Sequence, residues 1–295
     1  VKRDRPITSH REEANMSTHD LTHKFLKVEG HSIAYLDEGD GPPLILLHGI
    51  PTNSLLWRDI IPVLAQKRRV IAPDMLNYGR SDKPARTDVS IASQARILIG
   101  LMDALGLGRV DLAAHDIGGG VAQIVAVRHP ERLNRLILAN AVCFDSWPIP
   151  EFEPLQEAGA EADLTVEGFG AMLRDFLPQG VADANGLSSE AVEIMLRPWA
   201  GDAGKAALFR NFRRLNPEYT MAIARELETL DLPVLVLWGD SDPFQKPAYA
   251  HRLAQTIPGA RLEWITGAAH WIMEEKPDDV AERIARFLDA PNPDA

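Results

Sequence analysis

The sequence contains a single cysteine, Cys143. One thiol excludes an internal disulfide framework and a cysteine-based zinc site, and it fits a reducing compartment, so a cytoplasmic location is expected. Basic residues are in deficit: 31 Lys and Arg face 42 Asp and Glu, a formal charge of −11. Excess negative charge repels phosphate backbones and anionic headgroups, which argues against nucleic acid or a membrane as partner. Apolar runs are short, none approaching the ~18 residues that a membrane helix needs. Residues 1–22 lack the apolar stretch of a signal peptide, and residues 1–23 read as a loose N-terminal arm. Internal repeats and long low-complexity segments are also missing.

What remains is ordinary for a large core. Of 295 residues, 45% are hydrophobic and 25% charged, which suits one large domain or one domain carrying an insertion. Residues 25–37 read as two short strands broken at Gly30-His31, and Gly39-Asp40-Gly41-Pro42-Pro43 as a turn. The continuous apolar run 43–47 suits a strand buried on both faces. It leads into His48-Gly49-Ile50-Pro51, after which Asn53 or Ser54 caps a helix expected to run to about Ala65. A strand at 69–73, the turn-rich loop 74–84 and a helix at 90–105 follow. Alternating strands and helices imply a doubly wound, mostly parallel sheet, whose chemistry belongs at the carboxyl ends of the strands. His48, Asp74 and Asp116 all follow strands there.

The stretch 109–120, RVDLAAHDIGGG, is the pivot. A short apolar strand ends at His115, three glycines follow, and residues 121–129 carry apolar residues at helical spacing. Asp116 stands at the apex between Ala114 and Gly118. A sharp strand-to-helix turn needs such small neighbours, and this is the geometry of a nucleophile elbow with Asp in place of Ser. Taken alone, the stretch fits equally well an ordinary turn with Asp116 as a helix cap.

The alternation lapses after residue 142. Residues 143–229 hold helical stretches between Pro and Gly breaks, read as a helical cap over the strand ends. The core, residues 24–142 and 230–295, resumes with a strand near 232–239, a helix at 247–255, a last strand at 260–265 and a closing helix at 277–288. Asp242 follows the first of these strands and His270 lies in the loop after the last. Asp116, Asp242 and His270 thus appear in the order nucleophile, acid, histidine, each after its own strand, and the joint occurrence favours catalysis over capping.

The chain resembles an α/β-hydrolase-fold enzyme over about residues 24–290, and within that fold it resembles the epoxide hydrolase and haloalkane dehalogenase branch. The motifs are His48-Gly49-Ile50-Pro51, Gly79-Arg80-Ser81-Asp82-Lys83-Pro84, Ala114-His115-Asp116-Ile117-Gly118-Gly119 and Trp238-Gly239-Asp240-Ser241-Asp242. Asp in the elbow is the specific one. A carboxylate is already ionised at neutral pH, and its attack on an sp³ carbon gives a stable alkyl ester. His270, held by Asp242, then deprotonates water for attack on the carboxyl carbon of Asp116. The resemblance implies that the backbone N–H groups of Ile50 and Ile117 form the oxyanion hole. It implies no cofactor and no metal. His48, Trp147, Trp199 and Tyr219 are candidates for contact with a small apolar substrate.

Departures from the family pattern bear on the leaving group. Ile117 stands where haloalkane dehalogenases carry a halide-binding Trp, and Ile50 where they often carry Asn. Fluoroacetate dehalogenases carry Arg after the nucleophile, also absent. Epoxide hydrolases use cap tyrosines, and this cap has one, Tyr219, with Phe209 near where another would stand. The expectation is an epoxide hydrolase-like enzyme, monomeric or homodimeric. The alternatives are a haloalkane or haloacid dehalogenase, another hydrolase or lyase, in which Asp116 serves as a base or binding group, and a non-catalytic ligand-binding member of the fold.

Overall fold

Strand β5 (Val110–Asp116) is buried at all seven positions and stands near the middle of an eight-stranded sheet. The computed structural model describes residues 21–183 and 186–291. The expected loose arm lies outside the described residues up to residue 20, while His23 hydrogen-bonds Ser54 at 3.0 Å.

The other strands are β1 (Lys24–Val28), β2 (His31–Glu38), β3 (Pro43–Leu47), β4 (Arg69–Pro73), β6 (Leu133–Ala141), β7 (Val234–Gly239) and β8 (Arg261–Ile265), in the order β1-β2-β4-β3-β5-β6-β7-β8. β1 pairs antiparallel with β2, and β2 with β4; all other pairings are parallel. This is the α/β-hydrolase fold. The continuous apolar runs follow from burial on both faces: Leu44, Ile45, Leu46, Leu112, Leu136 and Leu235 are fully enclosed. The strand order reverses at β3, whose neighbours are β4 and β5. A crevice outside the carboxyl ends is expected at such a switch point.

The helices are α1 (Ile61–Leu64), α2 (Ile91–Ala104), α3 (Ile117–Arg128), α4 (Val166–Phe176), α5 (Ser189–Leu196), α6 (Gly201–Phe212), α7 (Glu218–Ala222), α8 (Pro247–Thr256), α9 (Ile272–Glu275) and α10 (Pro277–Asp289). The single helix expected from Asn53 to Ala65 is instead a 3₁₀ turn, Ser54–Trp57, followed by α1. Pro62 has no N–H to extend a preceding helix and stands in the first turn of a new one. Asn53 does cap, its side chain accepting from the Leu55 N–H.

Among the described residues, no strand occurs between β6 and β7. The helical segment there is fastened to the core by buried bonds. The indole of Trp199 donates to the Pro51 carbonyl at 2.6 Å, and the amide of Asn77 donates to Ala207 and Asn211. Among the described residues, no helix is long and apolar enough to cross a membrane.

The β5–α3 turn is tight. Asp116 has φ 51°, outside the regions that a side chain prefers. Gly118 passes so close to β3 that a Cβ would lie 2.3 Å from the His48 carbonyl oxygen. Gly108 has open space around it. Gly118→Ala should therefore cost ~1–3 kcal/mol of stability or prevent folding, while Gly108→Ala is tolerated, as read from denaturant midpoints. Equal midpoints for the two variants would contradict this account of the turn.

Candidate active site

Asp116, Asp242 and His270 are brought together at the carboxyl edge of the sheet. The Nδ1–H of His270 donates to Asp242 Oδ2 at 3.0 Å, and His270 Nε2 lies 3.8 Å from Asp116 Oδ2. All three side chains are buried. Asp242 also accepts the backbone N–H groups of Phe244 and Gln245 through Oδ1, at 2.8 and 2.9 Å. These bonds hold its carboxylate so that Oδ2 faces the imidazole.

Asp116 Oδ1 accepts the Ile50 N–H at 2.9 Å, and the carboxylate also accepts the Ile117 N–H. Both expected oxyanion donors thus point at the carboxyl group in the resting protein. Burial pushes the Asp116 carboxyl above the usual carboxylate range, opposed by His270 and by these two N–H groups. Burial works against a charge on His270 as well. Asp242 first, then Asp116 and Glu275, outweigh it and hold the imidazole above its ordinary value. His115 lies against the same ring, 4.6 Å between centroids, and stays neutral: burial pushes its own pKa well down.

Asn140, at the end of β6, was not singled out from the sequence. Its side-chain N–H group donates to Asp242 Oδ2 at 2.6 Å and to the Ala269 carbonyl at 3.1 Å, and its Oδ1 accepts the Gly239 N–H. Asn140 thereby ties three loops together from a backbone with φ 45°. An Asn at the end of a buried strand is a weak signal, because many such residues only turn the chain. The loop before His270 is hung from another group that sequence reasoning missed. Glu275 accepts the N–H groups of Ala269 and Ala182, each at 2.7 Å. Gly180 in the helical segment accepts the N–H of His270.

The cavity over Asp116 is lined by the triad members Asp116 and His270, by Gln245, and otherwise by apolar residues such as Ile149, Phe152, Phe176, Leu215 and Phe244. Its free volume is about 20 Å³, enough for about one water molecule.

Of the candidate contact residues, Trp147 lines this cavity, but its indole N–H is spent on Thr220 at 2.8 Å. Trp199 does not line it; that indole fastens the helical segment to Pro51 instead. Tyr219 does not line it either and packs, partly buried, against the core. His48 is fully buried beneath the site. Its Nδ1–H donates to Gly49, and its Nε2 accepts the Met75 N–H, which leaves no atom for a substrate. Trp199, Tyr219 and His48 are thus not among the residues that line this cavity. Trp271 lines the cavity unforeseen, with its N–H donated to the Leu177 carbonyl. Asp74 organises its own loop by accepting the N–H groups of Ser54 and Arg80, each at 2.7 Å. Among the described residues, no cluster of His, Cys, Asp and Glu is arranged to hold a metal ion.

Comparison with known proteins gives the same architecture. Residues 42–277 match the model of the alpha/beta hydrolase fold family. Haloalkane dehalogenase 2 of Mycobacterium tuberculosis is 31% identical over 261 residues, 85% of this chain and 90% of that protein. The 2-hydroxymuconate semialdehyde hydrolase of Pseudomonas putida is 32% identical over 263 residues, 85% and 89% of the two chains. Among solved structures, an alpha/beta hydrolase fold protein from Burkholderia ambifaria superposes with a TM-score of 0.82 at 30% identity, covering 90% of this chain and 100% of that one. Haloalkane dehalogenase DbeA from Bradyrhizobium elkani superposes with a TM-score of 0.80 at 25% identity, covering 92% and 100%. With a family model spanning most of its length and relatives of this similarity, the chain belongs to the α/β-hydrolase-fold family.

Proposed function

We propose that the protein is a hydrolase in which Asp116 attacks a saturated carbon of a small apolar substrate and forms an alkyl ester, epoxide opening being the preferred reaction. The observation that carries the reading is the placing of the carboxylate itself. It accepts two backbone N–H groups at a sharp elbow and stands 3.8 Å from an imidazole that is held by a second carboxylate. After alkylation the same N–H groups face the ester oxygen on which negative charge grows when water adds, a type of donor worth roughly 3 kcal/mol each. His270 in its neutral form takes the proton from that water. The tetrahedral species then collapses, the product leaves as its alcohol, and the Asp116 carboxylate is restored. No cofactor enters the cycle.

The relative named a haloalkane dehalogenase favours a halide as the second reading. Against it, the two indoles that line the cavity have donated their N–H groups to Thr220 and Leu177, and a departing halide ion needs free donors. Opening an epoxide releases ring strain, and the oxygen freed when the C–O bond breaks stays on the substrate as an alkoxide that takes up a proton from solvent, so no separate ion has to be held by the wall. The cavity holds no organic molecule at its present size, so entry requires the helical segment over residues 143–229 to open as a cap. The assignment of 143–229 as a cap, a small-molecule partner and a monomer or homodimer are parts of the same proposal.

Three outcomes test the mechanism. In a single turnover in heavy-oxygen water with enzyme in excess, the product should be unlabelled and the label should enter the peptide carrying Asp116. A labelled first product would instead make Asp116 a base acting on water. His270→Gln should lower turnover by roughly 10²–10⁴-fold yet still form a protein adduct, visible by intact mass; loss of both adduct and turnover would place His270 in the first step. The pH dependence follows from its surroundings. Asp116 and Asp242, with Glu275 nearby, favour the imidazolium, while neutral His115 does not, and the net shift is upward from 6.5. In the adduct Asp116 is an uncharged ester, so its push is lost while that of Asp242 remains. Because the base must be unprotonated, decay of the adduct should accelerate as pH rises through the titration of His270, and a rate that falls as pH rises would exclude His270 as the base.

A further inference from the structure

The cavity wall contains one polar side chain that the mechanism has not used. Gln245 lines the space over Asp116 together with His270, and it is 2% exposed. Its backbone is fully engaged: the N–H donates to Asp242 Oδ1, and the carbonyl accepts the Trp238 indole at 2.8 Å. Its side chain is not. Oε1 is buried without a hydrogen-bond partner among the described residues. Other buried polar atoms also lack partners, on Trp57, Asp111, His115, Gln123, Arg210 and Asn211, but among these residues Gln245 alone lines the cavity. A buried acceptor left without a donor is costly, so the site gains when a donor arrives.

The size and chemistry of the cavity indicate which donor. About 20 Å³ accommodates a water but not an organic group, and a bound water requires two to four polar partners. The cavity's polar lining is Asp116, His270 and Gln245. We infer that Gln245 is a further catalytic residue that holds the hydrolytic water, its Oε1 accepting one O–H while neutral His270 Nε2 accepts the other. The inference rests on the alkyl-ester reading of Asp116. With both hydrogens of the water engaged, a lone pair is left for the carboxyl carbon of the ester. In the step itself, the water oxygen bonds to that carbon, one proton passes to His270, and the C=O electron pair moves to the oxygen facing the Ile50 and Ile117 N–H groups. Gln245 gives and takes no proton. Its backbone bond to Asp242 sets it on the same side of the site as His270.

The role separates the two half-reactions. Gln245→Leu keeps the approximate volume and removes the acceptor, whereas Gln245→Glu keeps an acceptor. Both variants and the unmodified protein are mixed with a panel of terminal epoxides and 1-bromoalkanes, and adduct formation and decay are followed by rapid-quench intact mass. With Gln245→Leu the formation rate should stay within about twofold while decay slows about tenfold or more, so that the adduct accumulates. Gln245→Glu should recover most of the decay rate. Slower formation with unchanged decay would show that Gln245 meets the substrate instead, and unchanged rates in both steps would leave it no role; either result overturns the inference while the alkyl-ester reading stands. An adduct absent from the unmodified protein and from His270→Gln across the whole panel would remove that reading, and the inference with it.

Discussion

The close passage of the β5–α3 turn against β3 is the constraint on which the rest depends. Asp116 sits at φ 51°, a conformation that costs ~1–3 kcal/mol and persists only where the surroundings over-determine it. Here they do. A Cβ on Gly118 would meet the His48 carbonyl, and a Cβ on Gly49 would lie 2.4 Å from the Cβ of Asp116. The absence of side chains at these two points lets the β3 loop close over the elbow. The same approach delivers the Ile50 N–H to the carboxylate, so the strain of the turn and the placing of this donor are one feature.

From that point the site is built as a chain of polar contacts across four strand ends. Asn140 on β6 holds Asp242 after β7, Asp242 holds His270 after β8, and His270 faces Asp116 after β5. Every member is buried, where an unpaired polar group is expensive and a paired one is firmly placed. Asp242 accepts four hydrogen bonds, from Phe244, Gln245, Asn140 and His270. These bonds fix the orientation of the carboxylate that faces the imidazole. That anion outweighs the burial that would otherwise keep His270 neutral.

The helical segment after β6 supplies the apolar half of the cavity, and its attachments reach into the catalytic loops. Gly180 accepts the N–H groups of both His270 and Trp271, and Glu275 joins Ala182 to Ala269. In the mechanism we propose, opening that segment to admit a substrate has to strain or break bonds that position the histidine, so that closure and assembly of the proposed triad are coupled and bulk water is kept out until the base is in place.

Much of this was legible in the chain. The continuous apolar run at 43–47 reads as a doubly buried strand because a strand covered on both faces has no polar positions to alternate. The order of Asp116, Asp242 and His270 carried the triad, because each must follow its own strand to reach one edge of the sheet. Ile50 and Ile117 were placed through their motifs, since their contribution is a backbone N–H that depends on local turn geometry. The sequence could not decide what the side chains of Trp147, Trp199, Tyr219 and His48 face, because aromatic residues serve packing and ligands equally well. Nor did it reveal Asn140 and Glu275, which reach partners far away along the chain (Asp242 is 102 residues from Asn140, and Ala182 is 93 from Glu275), or Gln245, whose place in the cavity wall is set by the fold. Local pattern determines which segments become strands and which residues can stand at their ends. Only the folded packing decides which polar atoms find partners, and so leaves the Gln245 side-chain oxygen among those without one.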